Sequence, residues 1–448
     1  MENKNSRREF IRTTALGAAA LSIGGLAMSA KSYGRVVGAN ERINVAIIGL
    51  GRRLGAYLDP ISDKSNNVNL LYLCDVMESQ MQNAAKRFSR VIDYQPRLEG
   101  DFFKVIADNE LDAIFNATPD HWHAPGTWLA NQAGKHVYLE KPCTHNPYEG
   151  EMLIKAEKRF GKVIQIGNQQ RSADESIEII SQIHNGIIGE AYLAKAFYTN
   201  NRGRVVNPQS APVPQGLNWE MWQGPAPRKP YMHDTWDYNW HWYGWHYGTA
   251  ETGNNALHEF DIARWALQVK HPEKVIVDAD KYHWKDDGWT MYDTMDATLK
   301  YPGGKTIKWD GKSRNNHSTY GAGRGTIIYG TEGSVWVDRG GYKLYDRAGK
   351  LIKENLLKNA VDGTLLGGGG DSTPQHAKNF FEKIRGKEEL RSPVSEGVTS
   401  TLMCHLSNIA YRTGEVLECD PQTGRITNSK KAMKLWQREY EKGWEPNF

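Results

Sequence analysis

Two short segments carry residues able to move protons. His136-Val137-Tyr138-Leu139-Glu140-Lys141-Pro142 ends an apolar, strand-like run in a lysine set between a glutamate and a proline. A lysine whose pKa is lowered by burial or a neighbouring charge can accept the proton of a substrate hydroxyl. The second segment pairs Asn254 with His258. At i and i+4 on a helix the two side chains share a face and can point at one hydroxyl. An amide orients a hydroxyl but cannot take its proton, which leaves Lys141 and His258 as the titrating groups. Asp261 is placed to orient His258 or to cap a helix, with Arg264 as a partner.

Removing a hydroxyl proton is half of a hydride-transfer reaction, and a dinucleotide-binding pattern precedes the lysine. Ile43 to Ile48 is an apolar, β-branched run that reads as a buried parallel strand and opens into Gly49-Leu50-Gly51-Arg52-Arg53-Leu54-Gly55. Glycines there let the backbone approach a pyrophosphate, held by N–H groups at the next helix start. The usual third glycine falls on Leu54, with Gly55 one residue late, so strand and helix must pack differently from the fingerprint. The next strand, Leu70 to Cys74, ends in Asp75, where a carboxylate accepts ribose hydroxyls and repels a 2′-phosphate. NAD is therefore expected; Arg52 and Arg53 keep NADP possible.

Two more strands, Leu111 to Ala117 and His136 to Glu140, alternate with helical segments and predict a doubly wound parallel sheet. Its ligand belongs at the carboxyl ends of the strands, where the glycine loop, Asp75, the Thr118-Pro119-Asp120-His121-Trp122-His123 loop and Lys141 fall. Thr118, Pro119, His121, His123 and Glu140 are accordingly cofactor-side candidates.

Val45 to Gly51, Ala117 to His123, Glu140-Lys141-Pro142 and Gly253 to Asp261 together resemble the Gfo/Idh/MocA oxidoreductases, the glucose-fructose oxidoreductase and inositol dehydrogenase group. The resemblance covers nearly all of the chain after residue 40. It implies an N-terminal Rossmann domain, an α/β domain with a large, mostly antiparallel open sheet, and a sugar, glycoside or polyol substrate between them. Many family members carry aspartate where this chain has Asn254.

Ser6-Arg7-Arg8-Glu9-Phe10-Ile11-Arg12 and the small, apolar residues that follow read as a twin-arginine export signal. The chain then divides into residues 1–35 (signal and linker), 42–165 (dinucleotide-binding) and 166–448 (substrate and oligomer domain). The expected location is the periplasm, reached already folded, with no stable membrane span. That compartment holds no general nicotinamide pool, so the cofactor is expected to stay bound and to be restored in place. Either a second substrate restores it, or one substrate is oxidised and reduced again in a single turnover, as in NAD-dependent glycosidases that resemble this chain. A sugar-binding protein on a retired enzyme fold is the third reading.

At 448 residues and 39% hydrophobic content the chain can bury two cores, and its net charge of +4 gives no sign of a nucleic-acid partner. Four cysteines without CxxC spacing indicate neither a zinc site nor a disulfide framework; no metal is expected. Glu151 to Arg159 and Asp174 to Asn185 read as helices, followed by a proline-rich irregular stretch. Tyr231 to Tyr247 is the most aromatic part of the chain, and sugar rings stack on aromatic planes. Trp240, His241 and His246 are the residues chosen there to face substrate; the others read as packing. Beyond residue 271, six strand-like segments between 274 and 345 form a meander, followed by helices at 374–385 and 395–412 that return onto the second domain and by a glycine hinge at 367–370. A broad sheet of this kind often serves as a homo-oligomer face.

Overall fold

The structure is a computed structural model that describes residues 41–357 and 372–448. The segment expected to be an export signal and the glycine run at 367–370 lie outside the described residues. Six short strands form a parallel sheet in the order β3-β2-β1-β4-β5-β6: β1 (Ile43–Ile48), β2 (Val68–Cys74), β3 (Arg97–Glu99), β4 (Ala113–Asn116), β5 (His136–Leu139) and β6 (Ile164–Ile166). β4 is buried throughout and β1 at all but Asn44, which is why both read as continuous apolar runs. Around the sheet lie α1 (Leu58–Ser62), α2 (Glu78–Phe88), α3 (Phe102–Ala107), α4 (Asp120–Gln132) and α5 (Pro147–Phe160). Strand order reverses between β1 and β4, which opens a crevice at their carboxyl ends.

The departure from the glycine fingerprint has a structural counterpart. Arg52–Tyr57 winds as a 3-10 helix before α1 begins, with Leu54 buried where the third glycine would allow close packing. Gly49 cannot be replaced so easily: its φ is +86°, and a Cβ would lie 2.6 Å from the Ala117 carbonyl oxygen.

The second sheet runs β15-β14-β13-β12-β7-β10-β9-β8-β16, with β11 paired to β7. Its strands are β7 (Ala191–Asn201), β8 (Lys274–Asp280), β9 (Thr294–Lys300), β10 (Thr306–Lys312), β11 (Arg314–Asn315), β12 (Arg324–Gly330), β13 (Gly333–Asp338), β14 (Gly341–Asp346), β15 (Leu351–Leu356) and β16 (Leu417–Glu418). All neighbours are antiparallel except β7 and β10, which run parallel in the middle. The helices of this half are α6 (Asp174–His184), α7 (Trp219–Gln223), α8 (Leu257–Leu267), α9 (Thr373–Ile384), α10 (Val394–Thr413) and α11 (Lys430–Met433). α8 and α10 are buried almost all round, and Phe260, Leu299, Trp309 and Met403 share one core with the sheet.

The chain crosses back after the second sheet. α9, expected on the second domain, sets Phe380 and Phe381 against Phe115 of β4, with Phe380 also on Tyr138 of β5. Burying each phenylalanine contributes roughly 1.5–3 kcal/mol. Trp444 and Phe448 likewise pack on Trp122 and Trp128 of α4. The two sheets are thus sequential, but the first is covered partly by the last quarter of the chain. Among the described residues no helix is long and apolar enough to cross a membrane.

Candidate active site

A cleft of about 620 Å³ opens at the carboxyl ends of β1, β2, β4 and β5 and is roofed by residues 198–205, 236–242 and the start of α8. Gly49, Gly51, Asp75, Thr118 and Pro119 line one end. A Cβ at Gly51 would meet nothing within 4 Å, so the backbone there is open to a ligand that comes close. Asp75 accepts the Leu50 N–H at 2.7 Å and the Met77 N–H at 2.8 Å, and burial pushes its pKa up to about 6 against those bonds. Leu50 contributes its backbone only; its side chain lies in the core beneath the loop and does not line the cleft. This end suits a dinucleotide: open glycine backbone for the pyrophosphate and a carboxylate with lone pairs left for the ribose.

Lys141 lies at the other end of the strand row. Its Nζ donates to the Asn254 carbonyl at 2.6 Å, and burial brings its pKa down to about 8, against the pull of Glu140 and Asp120. Glu140 is tied in place by Arg53 Nε at 2.7 Å, Tyr57 Oη at 2.9 Å and Gln169 Nε2 at 3.0 Å. It therefore anchors the strand end that carries Lys141 to the glycine-loop helix.

His258 and Asn254 both reach the cleft, Asn254 from within a π-helical turn at Thr252–Ala256 and His258 from the start of α8 into which that turn leads. The amide of Asn254 donates to Glu251 at 2.8 Å. His258 makes no hydrogen bond to the described residues, and its pKa is held far below the usual histidine value by burial, then by Arg339, Lys141, Arg324 and Arg53. This corrects the expectation that His258 titrates near neutral pH: it stays neutral in a positive field. Asp261 does not orient it. Its carboxylate takes Arg171 at 2.7 and 2.9 Å and the Ser400 hydroxyl at 2.6 Å.

Trp240 and His241 stack at 3.5 Å between ring centroids and line the cleft, with His241 Nδ1 facing the Tyr238 carbonyl at 2.9 Å. His246 does not line it; its Nε2 lies 2.9 Å from the Pro227 carbonyl. His121 is also absent from the wall, buried between Trp222 and Tyr247 with Nε2 3.0 Å from the Trp222 carbonyl. Both are packing histidines. His123 does line the cleft: its Nδ1 faces the Pro142 carbonyl at 2.6 Å and its buried Nε2 has no partner among the described residues. Arg52 and Arg53 line it too, but both are engaged, Arg52 with Asp237 and the Tyr238 ring, Arg53 with Glu140 and Thr373.

Several wall residues had no signal in the sequence. Tyr198, Asn200 and Arg202 come from and just beyond β7, Arg324 from β12 and Arg339 from the turn after β13. Asp120 sat unremarked inside a quoted motif, although it is buried beside Lys141 and its pKa is raised. Cys143 is buried against Thr401 with its thiol pushed up to about 12, an inert packing residue. Among the described residues no group of three or more His, Cys, Asp or Glu side chains is placed to hold a metal ion.

Comparison with known proteins agrees with this geometry. Residues 43–168 match a family described as "Oxidoreductase family, NAD-binding Rossmann fold", and residues 195–336 match that family's "C-terminal alpha/beta domain". A glycosyl hydrolase family 109 protein of Saccharopolyspora erythraea is 28% identical over 44% of this chain and 47% of its own length. The D-glucoside 3-dehydrogenase of Escherichia coli is 26% identical over 34% of this chain and 42% of its own length. The match thus spans less than half the length of these two relatives. The WlbA dehydrogenase of Bordetella pertussis, solved with NADH and UDP-GlcNAcA, shares the fold at a TM-score of 0.62 and 17% identity, over 85% of this chain and 99% of that one.

Proposed function

The chain belongs to the Gfo/Idh/MocA family of NAD-binding oxidoreductases, and from that premise we propose that it oxidises a hydroxyl of a sugar, glycoside or polyol, with Lys141 as proton acceptor. The observation that carries this is an amine with a pKa near about 8 in the same cleft as the open glycine loop. A nicotinamide dinucleotide, when bound, supplies the hydride acceptor. Gly49 to Gly51 would hold its pyrophosphate and Asp75 its ribose. With Arg52 and Arg53 both engaged elsewhere, nothing at that end favours a 2′-phosphate, and NAD is the preferred cofactor. Lys141, in its neutral form, takes the hydroxyl proton. His258 contributes a neutral ring nitrogen that hydrogen-bonds a neighbouring hydroxyl, and the stacked Trp240 and His241 offer an aromatic wall to the sugar ring.

The cofactor is proposed to remain resident. Arg52 lies 3.9 Å from the centroid of Tyr238 and 3.7 Å from Asp237, so the aromatic segment clasps the glycine-loop helix across the cleft mouth. Such retention suits a periplasmic enzyme exported folded, the location proposed from Arg7 and Arg8. A homo-oligomer formed through the second sheet is part of the same proposal.

A second reading, transient oxidation followed by loss of a glycosidic substituent, is favoured by the likeness to the glycosyl hydrolase family 109 protein. Its additional base would come from the aromatic wall of the cleft, where His241 is a weak one because burial and neighbouring cations lower its pKa. Denaturing the purified protein and assaying the supernatant for nicotinamide tests residency; an empty supernatant refutes it. Incubation with a glycoside panel separates the two reactions. Ketosugar accumulation supports the dehydrogenase, released aglycone without net NADH the glycosidase, and silence across the panel refutes both.

A further inference from the structure

A second cavity, of about 130 Å³, lies behind the cleft between the segment after Lys141, Thr249 and α10. Its wall is polar and under-satisfied. Both ring nitrogens of His145, Nδ2 of Asn146 and Nε and Nη1 of Arg438 are buried without a hydrogen-bond partner among the described residues, and Asn146 is 5% exposed. Buried polar atoms in a roomy cavity are satisfied by water, and this one has space for several molecules. It extends to Arg412 and Gln437, which are exposed, and so reaches solvent.

Thr249 lines this cavity and also touches the active site. Its hydroxyl donates to Asp120 Oδ2 at 2.6 Å, and Asp120 lines the main cleft with Lys141. Space is kept for that hydroxyl: a Cβ on Gly253 would lie 1.9 Å from Thr249 Oγ1. Lys141 is faced by Glu140 on its own strand end, Asp120 of α4, Arg53 of the 3-10 turn and Arg339 beyond β13. Of the two carboxylates, Glu140 is held by Arg53, Tyr57 and Gln169, whereas Asp120 makes one side-chain hydrogen bond, to Thr249, and lines the cleft with His123 and Lys141 as the charged or titratable groups that face it.

We propose that Asp120 and Thr249 form a proton path joining Lys141 to the second cavity and through it to solvent. The proposal rests on the reading of the site as a hydroxyl oxidoreductase. In oxidation the substrate O–H bond would break with its proton moving to the neutral amine of Lys141, and a bound nicotinamide would supply the acceptor for the hydride as the carbonyl forms. Lys141 and Asp120 line the same cleft without a direct ion pair, so the Lys141 proton passes through a cleft water to the Asp120 carboxylate and the amine returns to neutral. Asp120 then gives a proton to the Thr249 oxygen as the Thr249 hydroxyl proton moves to water in the second cavity. Reduction runs the same path inward, so the path serves both halves of a resident-cofactor cycle. Asp120 and Thr249 are positioning residues that act through Lys141.

Two measurements test it. Without substrate, competitive acetylation read by mass spectrometry gives the titration of Lys141; Asp120→Asn lowers its midpoint by about one unit, and an unmoved midpoint overturns the path. With methyl β-D-glucoside and a wider glycoside panel, single-turnover hydride transfer is followed by cofactor absorbance and proton release by a pH indicator. Thr249→Val keeps hydride transfer but delays proton release about tenfold, and Thr249→Ser restores coincidence. Coincident, wild-type signals in Thr249→Val, or equal slowing of both, overturn the path. Absence of hydride transfer by the wild type on every glycoside overturns the oxidoreductase reading itself and the path with it.

Discussion

Lys141→Met separates activity from stability in opposite directions. An ordinary lysine titrates near 10.5, and Lys141 near about 8 because its charged form is desolvated. Holding the ammonium in the fold therefore costs roughly 3 kcal/mol. The sign follows from the direction of the shift: the folded pKa is depressed, so the penalty is complete below pH about 8, shrinks between about 8 and 10.5, and vanishes above. Methionine fills similar volume without the charge. Its one loss is the bond to the Asn254 carbonyl at 2.6 Å, worth about 1 kcal/mol. The net gain at pH 7 is about 2 kcal/mol, which at roughly 2 cal/mol/K per residue raises Tm by about 2–3 °C. Hydride transfer should fall about 10²- to 10⁴-fold. Thermal unfolding at pH 7 and pH 11, alongside single-turnover assays, checks both. A variant no more stable than wild type at pH 7, or a gain that persists at pH 11, refutes the desolvated-amine argument.

Three other outcomes follow from the same geometry. In the oxidation direction kcat/KM should rise about tenfold per pH unit up to pH about 8 and then level, because only the neutral amine of Lys141 accepts a proton; a flat profile from pH 6 to 9 excludes it as the base. Arg52→Ala should release bound cofactor about tenfold faster, since it loses the Tyr238 ring and Asp237 together; dialysis followed by cofactor assay measures this, and unchanged retention removes the clasp. Arg171→Met leaves buried Asp261 without its bidentate partner, with only Ser400 and the more distant Arg264 beside it, and should destabilise the fold by about 3 kcal/mol, read by denaturant unfolding; a loss under 1 kcal/mol contradicts the pairing.

The first sheet was legible because β1, β4 and β5 are buried at nearly every residue and write that burial as apolar runs, and half-buried β2 is apolar as well: the four fall where Ile43 to Ile48, Leu111 to Ala117, His136 to Glu140 and Leu70 to Cys74 place them. β8, β9, β10, β12, β13 and β14 were legible through their turns, but the single meander expected of them is broken, because β7 inserts between β10 and β12. β7 was not, although it is the central strand of the second sheet. Gly186 and Gly189 mark the turn before it, but the small alanines of Ala191 to Asn201 gave little periodicity. Missing β7 also hid Tyr198, Asn200 and Arg202. Lys141, Asn254 and His258 were readable as local motifs that the fold does bring into one cleft. His121 and His246 were misassigned for a physical reason. In a segment this rich in tryptophan and tyrosine a histidine between two rings is as well served by a backbone carbonyl as by a ligand. The partners of Asp261 and Glu140, which come from α10, the 3-10 turns and the segments after β6, depend on contacts distant in sequence and leave no spacing to read.

The replacement of a family aspartate by Asn254 bears on how the proton load is shared. An aspartate there would place a negative charge on the His258 face of the cleft and favour its imidazolium. With an amide instead, turned onto Glu251, His258 faces Arg339, Arg324, Arg53 and Lys141 with no carboxylate among the groups that shift it. The imidazole is thereby fixed as a neutral hydrogen-bonding group, and the titrating role passes to Lys141 alone. The carboxylate nearest in function comes from the other side, on α4, as Asp120. Asn254→Asp should then raise the pKa of His258 and bring a second ionisation into the pH profile of kcat/KM. If the profile of that variant keeps the single limb of the wild type, the amide is not what holds His258 out of the proton traffic.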